Sequence, residues 1–212
     1  AVASQEAQTL GDPTEVALVV AAAKFGLQKM DLERVLPRVG EVPFESDRKR
    51  MTTVHSLPGD VQALPESMRH ALGTVHGRVA FTKGAVDRLL EIAASVWVDG
   101  RAMPLDDRWR GKLQQANEAM AANGMRVLGL GFRQVNDGEV IDESIERDLT
   151  LAGMVGIIDP ARKEAAAAVA TCQSAGIRAV MITGDHPLTA AYIAKQLGIA
   201  TESAVLTGPP GT

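Results

Sequence analysis

From Leu151 to Gly198 the chain reads LAGMVGIIDPARKEAAAAVATCQSAGIRAVMITGDHPLTAAYIAKQLG, two apolar runs on either side of an alanine-rich segment. Leu151–Ile158 has the character of a strand buried on both faces, stopped by Asp159-Pro160 because proline cannot donate to a ladder. The Arg162–Ala175 segment carries its charges only in its first turn, so it reads as a helix with a small-residue face against a sheet, ended by Gly176. Ile177–Ile182 reads as a second strand, Thr183-Gly184-Asp185 falls where it must stop, and Pro187 opens a helix through Leu197. Strand, helix, strand, helix in this order predicts a right-handed parallel crossover. Ligands of such sheets bind outside the carboxyl ends of the strands, where Asp159–Arg162 and Thr183–Asp185 both lie.

These residues also carry a resemblance. DPAR (159–162) and MITGDHPLTAAYIA (181–194) resemble the hinge and the TGD signature of the P-type cation-transporting ATPases, whose phosphorylation domain has the haloacid dehalogenase fold. The resemblance implies that Thr183 and Asp185 help hold a phosphorylated aspartate and its Mg2+, and that Thr183, Gly184, Asp185 and Arg162 orient the phosphoryl group. It also implies that Asp159 and Arg162 lie on a link between the phosphorylation domain and an inserted nucleotide-binding domain.

Composition limits the remaining classes. The chain has 212 residues, 46% hydrophobic and 23% charged, with a net charge of −4, which is ordinary for globular domains and gives no support for nucleic-acid binding. No run approaches the ~18 apolar residues of a membrane helix, and AVASQEAQTL has neither the basic region nor the apolar core of a signal peptide. The single cysteine, Cys172, excludes an internal disulfide and reads as a buried structural thiol in a reducing compartment.

Ala1–Gly11 reads as a lead-in. Asp12-Pro13-Thr14-Glu15 then forms a helix start, with Asp12 as cap, Pro13 at the first helical position and Glu15 placed to reach back to the cap. That helix runs to about Lys24 and a second spans Lys29–Leu36. Arg38–Phe44 is expected as a strand, with Pro43 marking an edge or a bulge, and Met51–Leu57 alternates as its partner. Between them FESDRKRM (44–51) puts an aromatic beside a charged turn. An aromatic face can stack on a purine for ~1–3 kcal/mol, and Lys49 can meet phosphate as a point charge. Equally, Phe44 can be a core residue at a strand end and Arg48–Arg50 a solvated turn. Leu57–Gly73, with two prolines and two glycines, reads as a loop or hairpin excursion. His55, His70 and His76 have no metal-binding spacing and read as surface residues.

Gly77–Thr82 is expected as a strand opening through Lys83-Gly84-Ala85 into a helix over Val86–Ala94, a sensible place for an anion. Val96–Val98 with Asp99-Gly100 predicts a hairpin. Leu105–Asn123 is an amphipathic helix with Trp109 on its core face. Met125–Phe132 is a strand whose one charge, Arg126, needs a partner. Gln134–Asp148 reads as an acidic loop with a short helical turn. The expected fold is thus an α+β nucleotide-binding domain, an antiparallel sheet with flanking helices, followed by a partial α/β parallel-sheet segment of haloacid-dehalogenase type. The composition shift puts the joint between about 148 and 160, and the division is taken as 1–155 and 156–212.

The same family resemblance extends to four more segments. GDPTEVAL (11–18), FESDRKRM (44–51), KGAVDRLL (83–90) and GMRVLGLG (124–131) are similar to its nucleotide-domain motifs, in the manner of the calcium and sodium/potassium branches rather than the heavy-metal pumps. This implies ATP as ligand, with Phe44 stacked on adenine, Glu15, Lys49, Lys83 and Gly84 around base and ribose, and Arg126 on the phosphates. Mg2+ is implied for the intact protein only, and no residue of this chain is assigned as its direct ligand.

The sequence contains neither the Asp-Lys-Thr-Gly-Thr of the family's phosphorylated aspartate nor its Gly-Asp-Gly-x-Asn-Asp segment, and it has no Walker lysine, dinucleotide fingerprint, serine elbow or paired-histidine helix. The expectation is an excised cytoplasmic fragment of an integral membrane pump that binds nucleotide without turning it over. Its partners would be ATP and the parent's remaining phosphorylation, actuator and transmembrane domains. The two apolar runs, short of neighbours, are expected to fray, rearrange or pair with another copy. A haloacid-dehalogenase-type phosphatase with a cap domain is one alternative, although it lacks a nucleophilic Asp-x-Asp. The other is a non-catalytic module in which Arg48–Arg50 grips an acidic partner.

Overall fold

A computed structural model describes residues 12–73, 75–158, 162–182 and 187–200. Its centre is one seven-stranded sheet in the order β1-β2-β3-β6-β7-β4-β5. The strands are β1 (Arg38–Glu45), β2 (Arg50–Ser56), β3 (Arg78–Gly84), β4 (Ala93–Val98), β5 (Arg101–Pro104), β6 (Arg126–Val135) and β7 (Leu149–Ile157). Every pairing is antiparallel except β4 with β7, so the sheet is mixed. Helices α1 (Pro13–Lys24), α2 (Lys29–Val35), α3 (Glu66–Leu72), α4 (Val86–Ile92), α5 (Asp107–Ala122), α6 (Lys163–Ser174) and α7 (Pro187–Gln196) complete the architecture.

Residue alternation along the strands sorts side chains onto two faces. On one, α4 and α5 cover Leu149, Leu151 and Val96, with Leu89 and Leu149 fully buried, each contributing about 2 kcal/mol by leaving water. Gly129 of β6 permits this packing, because a Cβ there would lie 2.9 Å from the Leu89 side chain. The same face continues under β1–β3 as Val42, Val54, Ala80, Val135 and Ile145. On the opposite face, Leu36, Leu64, Leu72, Val79 and Phe132 form a third cluster roofed by α3. Asp99 and Gly100, both at positive φ, make the expected two-residue turn between β4 and β5.

The structure corrects three expectations. Leu57–Gly73 is not an open loop: it holds a 3-10 turn at Val61–Ala63 and the helix α3, whose Leu72 is buried beside Leu64. Pro65 begins that helix by offering its carbonyl to Met68 and Arg69, a role open to proline because only its missing N–H is incompatible with helix. The parallel crossover between Leu151 and Gly198 is the second case. Its helices form, but residues 177–182 make no strand, and Ile177, Val180 and Ile182 are 58, 72 and 94% exposed. β7 pairs with β6 along its length but with β4 only over Leu149–Leu151, and residues 177–182 do not take up the rest of that edge. Third, Cys172 is half-buried rather than enclosed. The Asp159–Ala161 and Thr183–Asp185 motif residues, and the Ala1–Gly11 lead-in, lie outside the described residues.

Candidate functional site

Several candidate residues gather at one end of the sheet, where β3 finishes and β2 and β6 begin. Lys83 is the Cα partner of Met51 on β2 and of Leu130 on β6, so the three side chains share the face roofed by α3. Arg126 lies four residues before Leu130 on the same unbroken strand and falls on that face too. Phe44 reaches it by an irregularity. β1 advances three residues from Val42 to Glu45 while β2 retreats two, from Thr52 to Arg50, and this bulge puts Phe44 on the face opposite Val42 and Glu45. Its ring is 61% exposed, so it is not the core residue that a strand end could have made it.

Beside these residues opens a cleft of about 370 Å³, lined by Met51, Met68, Phe81, Lys83, Trp97 and Phe132 among others. Trp97 and Phe132 meet edge to face at 5.9 Å, giving the cleft an aromatic floor. Phe44, Lys49, Glu15 and Arg126 are not among its lining residues; Lys83 and Met51 join the cleft to them.

Helix α1 brings the acids. Asp12 caps it by accepting from the Thr14 amide at 2.8 Å, but Glu15 does not return to the cap as a capping box would. It pairs instead with the Nζ of Lys83, at the mouth of the cleft. Asp12 in turn has its carboxyl held below the ordinary range, chiefly by the Thr14 amide, with the positive charge of Arg126 assisting. Two acids at the start of one helix thus face two cations on β3 and β6.

Lys49 and Gly84 are explained together. Lys49 stands at φ +50 in the tight turn between β1 and β2, and its carbonyl accepts from the Ala85 amide at 3.0 Å. A Cβ on Gly84 would lie 2.5 Å from that carbonyl oxygen and 2.8 Å from the Arg50 Cα, so only glycine lets the turn seat against the end of β3. The Lys49 side chain is left exposed.

Its neighbours behave differently. The Arg48 Nη1 donates to Glu146 at 2.5 Å, its Nε to Glu45 at 2.8 Å and its Nη2 to the Pro43 carbonyl at 2.7 Å. The Arg50 Nε donates to the same Glu146 oxygen at 2.7 Å, and Thr52 donates to the other oxygen at 2.9 Å. The Glu146 side chain is wholly buried, while those of Arg48 and Arg50 are 12 and 14% exposed. Burial works against the Arg48 charge, yet its bonds to Glu146 and Glu45 outweigh that and raise its pKa. The two arginines of the basic run are therefore committed within the fold, while the lysine between them stands in solvent. Glu146 went unsuggested by sequence because it sits in an acidic stretch that reads as loop.

Arg162 is exposed at the amino end of α6. Ile157, five residues before it, is the Cα partner of Arg126, so the chain leaves the sheet beside that arginine. His55, expected at the surface, is half-buried and bonded to the Leu36 carbonyl and to Thr53, and Trp109 packs against the α4–α5 core. Among the described residues no group of three His, Cys, Asp or Glu converges on a metal position, and no helix is long and apolar enough to cross a membrane.

Residues 2–164 match the family model described as P-type ATPase, cytoplasmic domain N. The chain is 40% identical over 199 residues to calcium-transporting ATPase 1 of Bacillus cereus, covering 94% of this chain and 20% of that protein. It is 41% identical over 196 residues to cation-transporting ATPase pma1 of Synechocystis, covering 91% and 19% respectively. With the probable cation-transporting ATPase F of Mycobacterium tuberculosis it shares 39% over 209 residues, 95% of this chain and 21% of the relative. The chain thus spans about a fifth of the length of these relatives. It belongs to the P-type cation-transporting ATPases, and most of it is their cytoplasmic domain N.

Proposed function

We propose that this chain is the ATP-binding portion of an ATP-driven cation pump, taking the nucleotide at the Lys83 end of the sheet. The observation that carries the reading is a solvent-exposed Phe44 turned onto the face that also bears Lys83 and Arg126, beside an apolar cleft. An exposed ring next to cations offers a purine both stacking and a counter-charge for its phosphates. Phe44 stacks on adenine, Glu15, Lys49, Lys83 and Gly84 surround base and ribose, and Arg126 steadies the phosphates. Arg162, with Thr183, Gly184 and Asp185, orients the γ-phosphoryl group in the intact pump, and Asp159 on the link joins the nucleotide-binding residues.

Residues up to about 155 form the nucleotide-binding domain and 156–212 the beginning of a phosphorylation domain of haloacid-dehalogenase type. The partners are the parent's remaining phosphorylation, actuator and membrane-spanning domains, and the chain lies on the cytoplasmic side. Phosphoryl transfer depends on positioning and charge, and the aspartate that would receive the phosphoryl group lies in a motif this sequence does not contain. The chain alone binds nucleotide without hydrolysing it. Mg2+ would accompany the triphosphate in the intact pump.

Titration of ATP into the protein, followed by amide chemical shifts, tests the reading. Shifts should concentrate at 44–51, 81–86 and 126–130. Phe44→Ala and Lys83→Ala should each weaken binding by roughly 5- to 150-fold, the equivalent of ~1–3 kcal/mol. Unchanged affinity in both variants would overturn the assignment.

A further inference from the structure

The arrangement around Glu146 has a consequence for the turn that carries Phe44 and Lys49. Arg48 is bonded on both sides of Phe44, to the Pro43 carbonyl and to the Glu45 carboxylate, and its third bond anchors it to Glu146, a residue 98 positions further along the chain. Arg50, directly after Lys49, is bound to the same carboxylate oxygen and also donates to the Arg48 carbonyl at 3.3 Å. The other oxygen of Glu146 holds Thr52, whose hydroxyl is 2.8 Å from that of Thr82. One buried carboxylate therefore ties both ends of the turn, and the strands behind it, to a single point beneath the sheet. A buried and fully partnered carboxylate fixes geometry more rigidly than an exposed pair does, since each missing bond would leave a charge uncompensated.

We propose that Glu146 is a positioning residue for nucleotide recognition: from the face opposite the cleft it holds the β1–β2 turn so that the Phe44 ring stands out ready to stack. This rests on the nucleotide reading above and adds to it a residue that never touches the ligand. A rotamer-free ring on a loose turn would have to be ordered on binding, and pre-ordering removes that cost. The bulge between Val42 and Glu45 supplies the direction, the Glu146 network the rigidity, and Gly84 the seat.

The test is Glu146→Gln in the whole chain, followed by amide spectra and hydrogen exchange without nucleotide and by ATP titration. Amides 45–50 should exchange at least tenfold faster relative to those of β3 and β6, and ATP affinity should fall about tenfold. In a Phe44→Ala background the same substitution should change affinity no more than about threefold, because only Lys49 is left on the turn to position. A purely structural role would instead speed exchange throughout the sheet and weaken binding equally in both backgrounds; that result overturns the proposal. If Glu146→Gln does not fold, Arg48→Lys must give the same pattern, since an ammonium keeps the charge but cannot hold Pro43, Glu45 and Glu146 together. Absence of ATP-induced shifts in the unaltered chain would defeat the nucleotide reading. Exchange at 45–50, measured without ligand, judges the anchoring by Glu146 on its own.

Discussion

Two acid–base clusters occupy opposite faces of the same pair of strands, and they differ in almost every physical respect. Beneath β2 and β3, at Arg50, Thr52 and Thr82, Glu146 is fully enclosed and all its bonds are satisfied. Above them, one residue along, Lys83 meets Glu15 with side chains 23 and 50% exposed. The pleat is what separates them, since consecutive residues point to opposite sides. A closed cluster is architecture and an open one can exchange partners with a ligand. The run Arg48-Lys49-Arg50 is divided by the same criterion, its arginines committed to Glu146 and its lysine left in solvent.

The largest expected contrast is in stability. Glu146→Ala leaves Arg48 and Arg50 without their shared partner and should cost about 3 kcal/mol, because removing one member of a buried pair strands the other. Urea unfolding with an unchanged slope measures it, and a loss under 1 kcal/mol would erase the distinction between the clusters. Next is Gly84→Ala. The new Cβ meets backbone on Lys49 and Arg50, which cannot rotate away, so about 1–3 kcal/mol of strain is expected, with amide shifts confined to 47–50 and 83–86.

How far the sequence reveals this depends on where each interaction is local. The turn at Asp99-Gly100, the cap at Asp12 and the helix over 107–122 follow from neighbours within a few positions, and the structure has all three. The motifs that resemble the pump family were also contiguous and pointed to the family that the comparisons show. Glu146 was hidden because its partners lie 94 to 98 residues away, and a glutamate among acids carries no local sign of burial. Residues 177–182 mislead for a related reason. Their apolar character matches that of β7, but apolar character alone does not make a strand: β4 covers β7 only at Leu149–Leu151, and residues 177–182 leave the rest of that edge unpaired. Glu15 is the intermediate case: its spacing from Asp12 satisfies the capping pattern, and only the tertiary fold shows that Lys83 competes successfully for it.

The open cluster should respond more weakly and in a different manner. Glu15→Ala is expected to cost under about 1 kcal/mol, as exposed pairs do. Since α1 buries no residue of its own, the substitution should also speed hydrogen exchange in α1 while leaving β3 and β6 protected. Salt should have the same effect in the unaltered chain, because solvent-exposed charges are screened on a length of about 8 Å at physiological ionic strength. An α1 insensitive to both would mean that something other than charge holds it.

The smallest effect is a dependence on pH that sharpens the comparison, because it arises in the acidic stretch that also supplies Glu146. Glu139 accepts from the Asn136 amide at 2.6 Å and from Arg133 at 2.9 Å. Chiefly through that amide, with Arg133 and Arg147 adding to it against the opposing effect of burial, its carboxyl is held below the ordinary value of 4.5. A carboxyl depressed by folding stabilises the native state above its unfolded pKa, and that contribution is lost as pH falls through the lower, folded value. Acidification below about pH 4.5 should therefore loosen residues 136–147, and Glu139→Gln should remove that part of the response while leaving the neutral-pH spectrum of the β1–β2 turn in place. Carbon-detected titration of the Glu139 carboxyl reads the shift directly. A titration at or above 4.5 would show that the loop is held by its backbone alone, and that Glu146 keeps its place without help from the charges beside it.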